Sequence, residues 1–127
     1  MAYLHSAVEL DPQFADAWAL LALVEMWRFN LRAPPTLAAC ADARSAAQRA
    51  VKLNSRLDEA HRAMALVFQF CDFDFTAAEA ELNRALEVVP GSDDALRSYS
   101  FLMNRVGRFD QALELAQRAL SFDPLTT

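Results

Sequence analysis

Two histidines, two cysteines and a pair of closely spaced aspartates are the side chains here with the most chemistry to offer. An imidazole can serve as general base or metal ligand, but it needs partners. His5 and His61 stand alone, with no second histidine or cysteine at ligand spacing. Asp72 and Asp74 alternate as in a cation-binding loop, yet the remaining oxygen ligands and the bidentate glutamate of a calcium loop do not follow. Cys40 and Cys71 form no C-x-x-C pair, and a nucleophilic cysteine would need a base brought from elsewhere. Two reduced, half-buried thiols are the expected state. Gly91 and Gly107 are too isolated to cradle a phosphate. Phe68, Phe70, Phe73 and Phe75 suggest a ligand pocket, but turn plugging and core packing account for them better. No catalytic, cofactor-binding or metal-binding residue is therefore expected, and the chain reads as a non-enzyme without a cofactor.

Composition narrows the remaining classes. The formal net charge of −5 argues against nucleic acid, which requires a basic stripe. No apolar run reaches the roughly 18 residues of a membrane span. With no signal peptide, a cytoplasmic location is expected. Lys52 is the only lysine among the basic residues, a bias that fits a GC-rich, bacterial genome. Helical sequence follows Met1 at once, as in a segment cut from a longer chain or a very short protein that starts in mid-pattern.

The elements that must position these side chains are all helical. Abundant alanine and scarce glycine favour helices over tight β-turns. Along Arg105–Pro124, Ala112, Ala116 and Ala119 recur at spacings of 4 and 3, which places them on one helix face. Alanines there admit a neighbouring helix closely. Leu113, Leu115 and Leu120 widen the apolar surface beyond what a lone helix can bury. The same pattern stands upstream in Ala78, Leu82, Ala85 and Pro90, and again in Ala43, Ala47, Ala50 and Ser55.

Seven helical segments are expected, with no strand. Ala2 to Leu10 precedes a D-P stop. Phe14 to Asn30 follows, with Ala17, Leu20, Leu21, Val24 and Trp27 as its buried face and Trp18 packing toward the partner helix. Asn30 to Pro35 is a loop, because Pro34-Pro35 forbids helix, and Thr36 is the N-cap of Leu37 to Leu53. Leu57 to Cys71 carries Ala60, Met64, Val67 and Phe68 inward, and Asp72 to Thr76 is a turn. Ala77 to Val89 ends at Pro90-Gly91. Ser92 or Asp93 caps a helix running to Val106, and Gly107 supplies the left-handed position after it. Phe109 to Phe122 is the last.

The helix-end positions Asp11, Asn54, Val89 and Asp123 lie 43, 35 and 34 residues apart. The last equals the tetratricopeptide period. The first carries extra residues in the loop at 30–36, where an insertion costs little closure entropy.

On these residues the chain resembles the tetratricopeptide-repeat family over nearly its whole length. The family's signature places hold Trp18, Leu21 and Ala22, then His61, Met64, Ala65 and Phe68, then Leu96, Tyr99, Ser100 and Met103, each set followed by its alanines. Ser55 replaces the usual proline, and Ser100 the usual small Gly or Ala. The long APP loop, the DFDF turn and the final FDPL resemble a narrower subset, carried by bacterial adenylate cyclase-like and winged-helix regulator proteins. The resemblance implies an all-α, right-handed α-solenoid of antiparallel helix pairs. It divides the chain into a half repeat at 1–12 and repeats at 13–55, 56–90 and 91–127.

In this family the first helix of each repeat lines a concave groove that binds protein segments. The resemblance thus implies a non-catalytic protein-interaction module, or alternatively a self-assembly or intramolecular regulatory module of a larger signalling enzyme or transcription regulator. The implied groove residues are Leu23, Trp27, Arg62, Leu66, Gln69, Phe70, Arg97, Phe101, Asn104 and Arg105. The Lys and Asn pattern of chaperone-binding members is absent. Arg62 and Arg97 hold equivalent places, each three residues after an acid, Glu59 or Asp94. Where those acids leave charge free, an acidic peptide is the expected partner. Exposed apolar ends are expected to promote self-association.

Overall fold

A computed structural model describes residues 13–29 and 34–122. Six helices fill them: α1 (Ala15–Trp27), α2 (Leu37–Leu53), α3 (Asp58–Phe70), α4 (Phe75–Val88), α5 (Asp93–Arg105) and α6 (Phe109–Phe122). No strand occurs among the described residues. The expected segment Ala2–Leu10, most of the APP loop and the final FDPL after its phenylalanine lie outside them.

The helices pair as hairpins, α1 with α2, α3 with α4 and α5 with α6. First helices stack on one another, α1 on α3 and α3 on α5, while α2 and α4 each meet the first helix of the following hairpin. The result is a right-handed α-solenoid. Alanine sets the spacing. Ala43, Ala47 and Ala50 of α2, and Ala78 and Ala85 of α4, are fully buried, and Ala112 and Ala119 of α6 are nearly so. Ala116 departs from that face and is only half-buried. A core of Leu82, Leu96, Leu102, Met103 and Leu115 joins the last two hairpins, and Leu21, Leu23, Ala47, Ala63 and Met64 join the first two.

Helix starts follow local side-chain chemistry. Thr36 Oγ1 accepts from the Ala39 amide at 3.1 Å, and Ser92 Oγ from the Ala95 amide at 3.3 Å, so Ser92 rather than Asp93 caps α5. Asp74 Oδ1 accepts from the Ala77 amide at 3.1 Å. Its cap draws Phe75 and Thr76 into α4, two residues earlier than the sequence reading placed that start. The turn before it holds Phe73 at φ 52, the left-handed region that costs a non-glycine residue energy. Gly107 takes φ +83 after α5, as its position requires. Ser100, at a place usually held by Gly or Ala, donates its hydroxyl to the Ala112 carbonyl at 2.7 Å.

Two expectations are overturned. Leu20 and Trp27 do not belong to the buried face of α1; Leu20 is 42 % and Trp27 58 % exposed. Almost every side of α1 is apolar, so its periodicity has no unique solution. Its buried residues are Ala15, Ala17, Ala19, Leu21, Ala22, Leu23, Glu25 and Met26. Trp18 does pack toward α2, beneath the Arg49 guanidinium, 5.4 Å from the ring centroid. The cysteines are not free thiols either. Cys40 and Cys71 form a disulfide with Cα atoms 5.9 Å apart. It ties α2 to the end of α3, beside Met26 and Val67. A second tie runs parallel, where Arg44 grips Asp72 with two hydrogen bonds of 2.7 Å. Spacing along the chain said nothing of this, because stacking of the two hairpins brings the cysteines together.

Candidate peptide-binding groove

The inner wall is built from the first helices. Ala60, Ala63 and Ala65 of α3 face its neighbours, so α1 and α5 approach it closely. Leu66, Gln69 and Phe70, at spacings of 3 and 1, are carried onto the inner side. Met26, Trp27 and Phe29 arrive from the end of α1; Arg97, Ser98 and Phe101 arrive from α5. Together they enclose a groove of about 350 Å³. Its walls are aromatic, and its deepest residues are Met26 and Gln69.

Contacts across repeats brace these walls. The rings of Phe70 and Phe101 lie 6.2 Å apart at a tilt of 34°. Arg62 spans from α3 to Trp27, its guanidinium 5.8 Å from the ring centroid. The Arg105 guanidinium sits 5.0 Å from Phe70 and 5.5 Å from Phe75. A cation at the end of α5 also suits the helix dipole.

The sequence-derived residues divide on this geometry. Trp27, Leu66, Gln69, Phe70, Arg97 and Phe101 share the groove. Leu23 does not. It is 1 % exposed, packed among Ala46, Ala47 and Met64, and cannot touch a ligand. Asn104 is exposed outside the groove, and Arg105 lies behind it against the phenylalanines. Arg62 is buried, with Asp94 of α5 at 3.7 Å, so it positions Trp27 rather than standing as a free charge beside Arg97. Arg97 is exposed and meets Asp93 through Nε at 2.9 Å. Neither arginine takes the acid three residues before it as its partner. Phe29 and Ser98 were missed, although each stands three residues from a groove residue, Met26 and Phe101.

Among the described residues three buried polar atoms lack a hydrogen-bond partner: Arg62 Nε, Gln69 Nε2 and Arg105 Nη1. All three are donors. In the first turn of α3 Glu59 is pushed up from the ordinary carboxylate value, by burial first and then by Asp58 and Asp16.

Polar structure on other faces was equally unforeseen. His61 is buried with Nε2 2.7 Å from the Ser55 carbonyl and Nδ1 2.8 Å from Glu81 Oε2. A carbonyl oxygen only accepts, so Nε2 carries a hydrogen there. Glu81 also receives Arg84. The imidazole thus links α3 to α4 and to the loop before α3. Tyr99 donates to Glu79 at 2.6 Å, and burial, followed by that hydrogen bond, pushes its phenol up to about 12. Among the described residues no three His, Cys, Asp or Glu side chains converge as a metal would need, and no helix is long and apolar enough to cross a membrane.

Solved structures share this fold. A thermophilic TPR protein of Thermus thermophilus, TTC0263, aligns with a TM-score of 0.79 and 22 % identity over 95 % of this chain and 62 % of its own. PilF of Pseudomonas aeruginosa gives 0.73 and 22 % over 87 % of this chain and 45 % of its own. MamA gives 0.68 and 20 % over 95 % and 65 %. The chain therefore spans about half to two thirds of the length of these relatives in fold. No protein-family model matches it, and no curated protein matches it in sequence.

Proposed function

We propose that this chain is a non-catalytic protein-interaction module whose concave groove takes a segment of another protein. One observation carries the reading: Trp27 and Phe101 stand 58 % and 44 % exposed on the two helices that flank α3, over a recess into which Leu66 and Phe70 also open. Large aromatic side chains left in water around a concavity are what binding sites use for contact area. Among the described residues the two terminal nitrogens of Arg97 meet no acid, since only Nε meets Asp93, and these favour an acidic segment. The test is capture from source-cell extract by the wild-type chain, by Trp27→Ala/Phe101→Ala, and by Leu113→Ala as a control far from the groove. A partner lost only with the groove pair supports the reading. Equal retention by all three overturns it.

A second reading rests on α6. Phe109, Leu113 and Leu120 are 66 %, 60 % and 44 % exposed along one side of this end helix. Such a stripe suits self-assembly, or docking inside a larger signalling enzyme or transcription regulator, the setting of the narrower subset described above. Sedimentation of wild type against Leu113→Glu tests it: concentration-dependent association that the charge abolishes favours assembly, and a monomer at every concentration removes it.

A further inference from the structure

The floor of the groove has a feature that apolar contact alone does not explain. Gln69 is 2 % exposed, lines the recess, and has no hydrogen-bond partner for its Nε2. A buried amide nitrogen without a partner is costly in the free protein, where leucine would pack at no such cost. The amide stands beneath aromatic walls formed by Trp27, Phe70 and Phe101. A ligand side chain reaching it must be flat and apolar along its body and polar at its tip. Phenylalanine supplies only the body. Tryptophan offers only a donor; the amide would have to turn its oxygen toward it, and Nε2 would still lack an acceptor. A carboxylate side chain has no apolar body to match the walls. Tyrosine meets both demands, because its ring fills the aromatic slot and its hydroxyl oxygen accepts from the amide.

From this, and resting on the groove reading above, we propose that the partner segment carries a tyrosine seated with its hydroxyl on Gln69, next to an acidic residue that takes the free fork of Arg97. Charge complementarity fixes the second element. Arg97 is exposed at the rim with two terminal nitrogens that engage no described residue, a geometry that grips a carboxylate. Arg62 is held by Asp94 and Trp27, so it contributes the wall and not the grip.

The experiment compares two capped peptides, Glu-Tyr-Glu and Glu-Phe-Glu, titrated by NMR into the 127-residue chain and into Gln69→Leu and Trp27→Ala. The tyrosine peptide is expected to bind roughly tenfold more tightly than its phenylalanine counterpart, the effect of one buried hydrogen bond. The preference is expected to vanish in Gln69→Leu, with amide shifts centred on α3 and α5. Equal binding of both peptides that weakens in Trp27→Ala overturns the tyrosine assignment and leaves the groove standing. Absence of binding, or binding indifferent to Trp27→Ala, overturns both. A second readout needs no ligand: Gln69→Leu is expected to raise the melting temperature of the free chain. A fall would mean that the amide already has a partner, and the proposal would fail.

Discussion

Reducing the Cys40–Cys71 bond should weaken the fold strongly, and from one end. The bond closes a span of 31 residues. Chain-entropy reasoning gives roughly 3 kcal/mol for a 15-residue loop and 4.7 for a 100-residue loop, so about 3–4 kcal/mol is expected here. Reduction removes no buried atoms, and the native contacts of Cys71 with Met26 and of Cys40 with α3 can persist as thiols. The loss therefore falls on the unfolded reference. It is comparable to much of the stability of a small domain. Urea unfolding followed by helical circular dichroism, with and without dithiothreitol, should show the midpoint lowered by roughly 1–3 M for a typical slope. Solenoid contacts run only between neighbours, so amide exchange should accelerate first in α1 and α2 and least in α6. Coincident midpoints, with the bond verified by thiol counting, would refute the reasoning; so would two free thiols in oxidised, denatured protein. Because such bonds persist mainly in oxidising compartments, a reducing cytosol would hold the chain in its weaker dithiol form.

Other consequences are more local. Ala85→Leu should destabilise by about 1–3 kcal/mol in thermal melts, since its site is fully buried between helices, while Ala116→Leu, half-buried, should cost less. Glu59 holds its proton more tightly folded than unfolded, so its contribution favours the fold at acid pH and is lost as pH rises through its folded pKa; Glu59→Gln should stabilise at neutral pH and lose that advantage as the carboxylate protonates at acid pH. Asp72, held low by its hydrogen bonds to Arg44, works in the opposite sense, so its stabilisation disappears as pH falls into the acid range; Asp72→Asn should flatten that branch. Ultraviolet titration should show a phenol ionising near 12 that Tyr99→Phe removes.

The sequence by itself determined the six described helices to within about three residues at each end, the Thr36 cap and the pairing of neighbouring helices. Those depend on short-range causes: alanine spacing, the proline and glycine stops, and Thr36 and Ser92 placed to cap. Repeating the pattern at nearly constant period left one way for each apolar face to be covered. Six of the nine groove residues were legible, and Leu66, Gln69, Phe70, Arg97 and Phe101 for the same reason, because they stand at fixed phases within their helices. Other features were decided only when three helices came together. Stacking joined Cys40 to Cys71 and gave Arg62 to Asp94 rather than Glu59. It buried Leu23 on a helix apolar on nearly every side, and it left the Gln69 amide without a partner on the groove floor. Periodicity reports which way a side chain leaves its own helix; what meets it there is fixed by the neighbours, and these are brought close by packing over tens of residues.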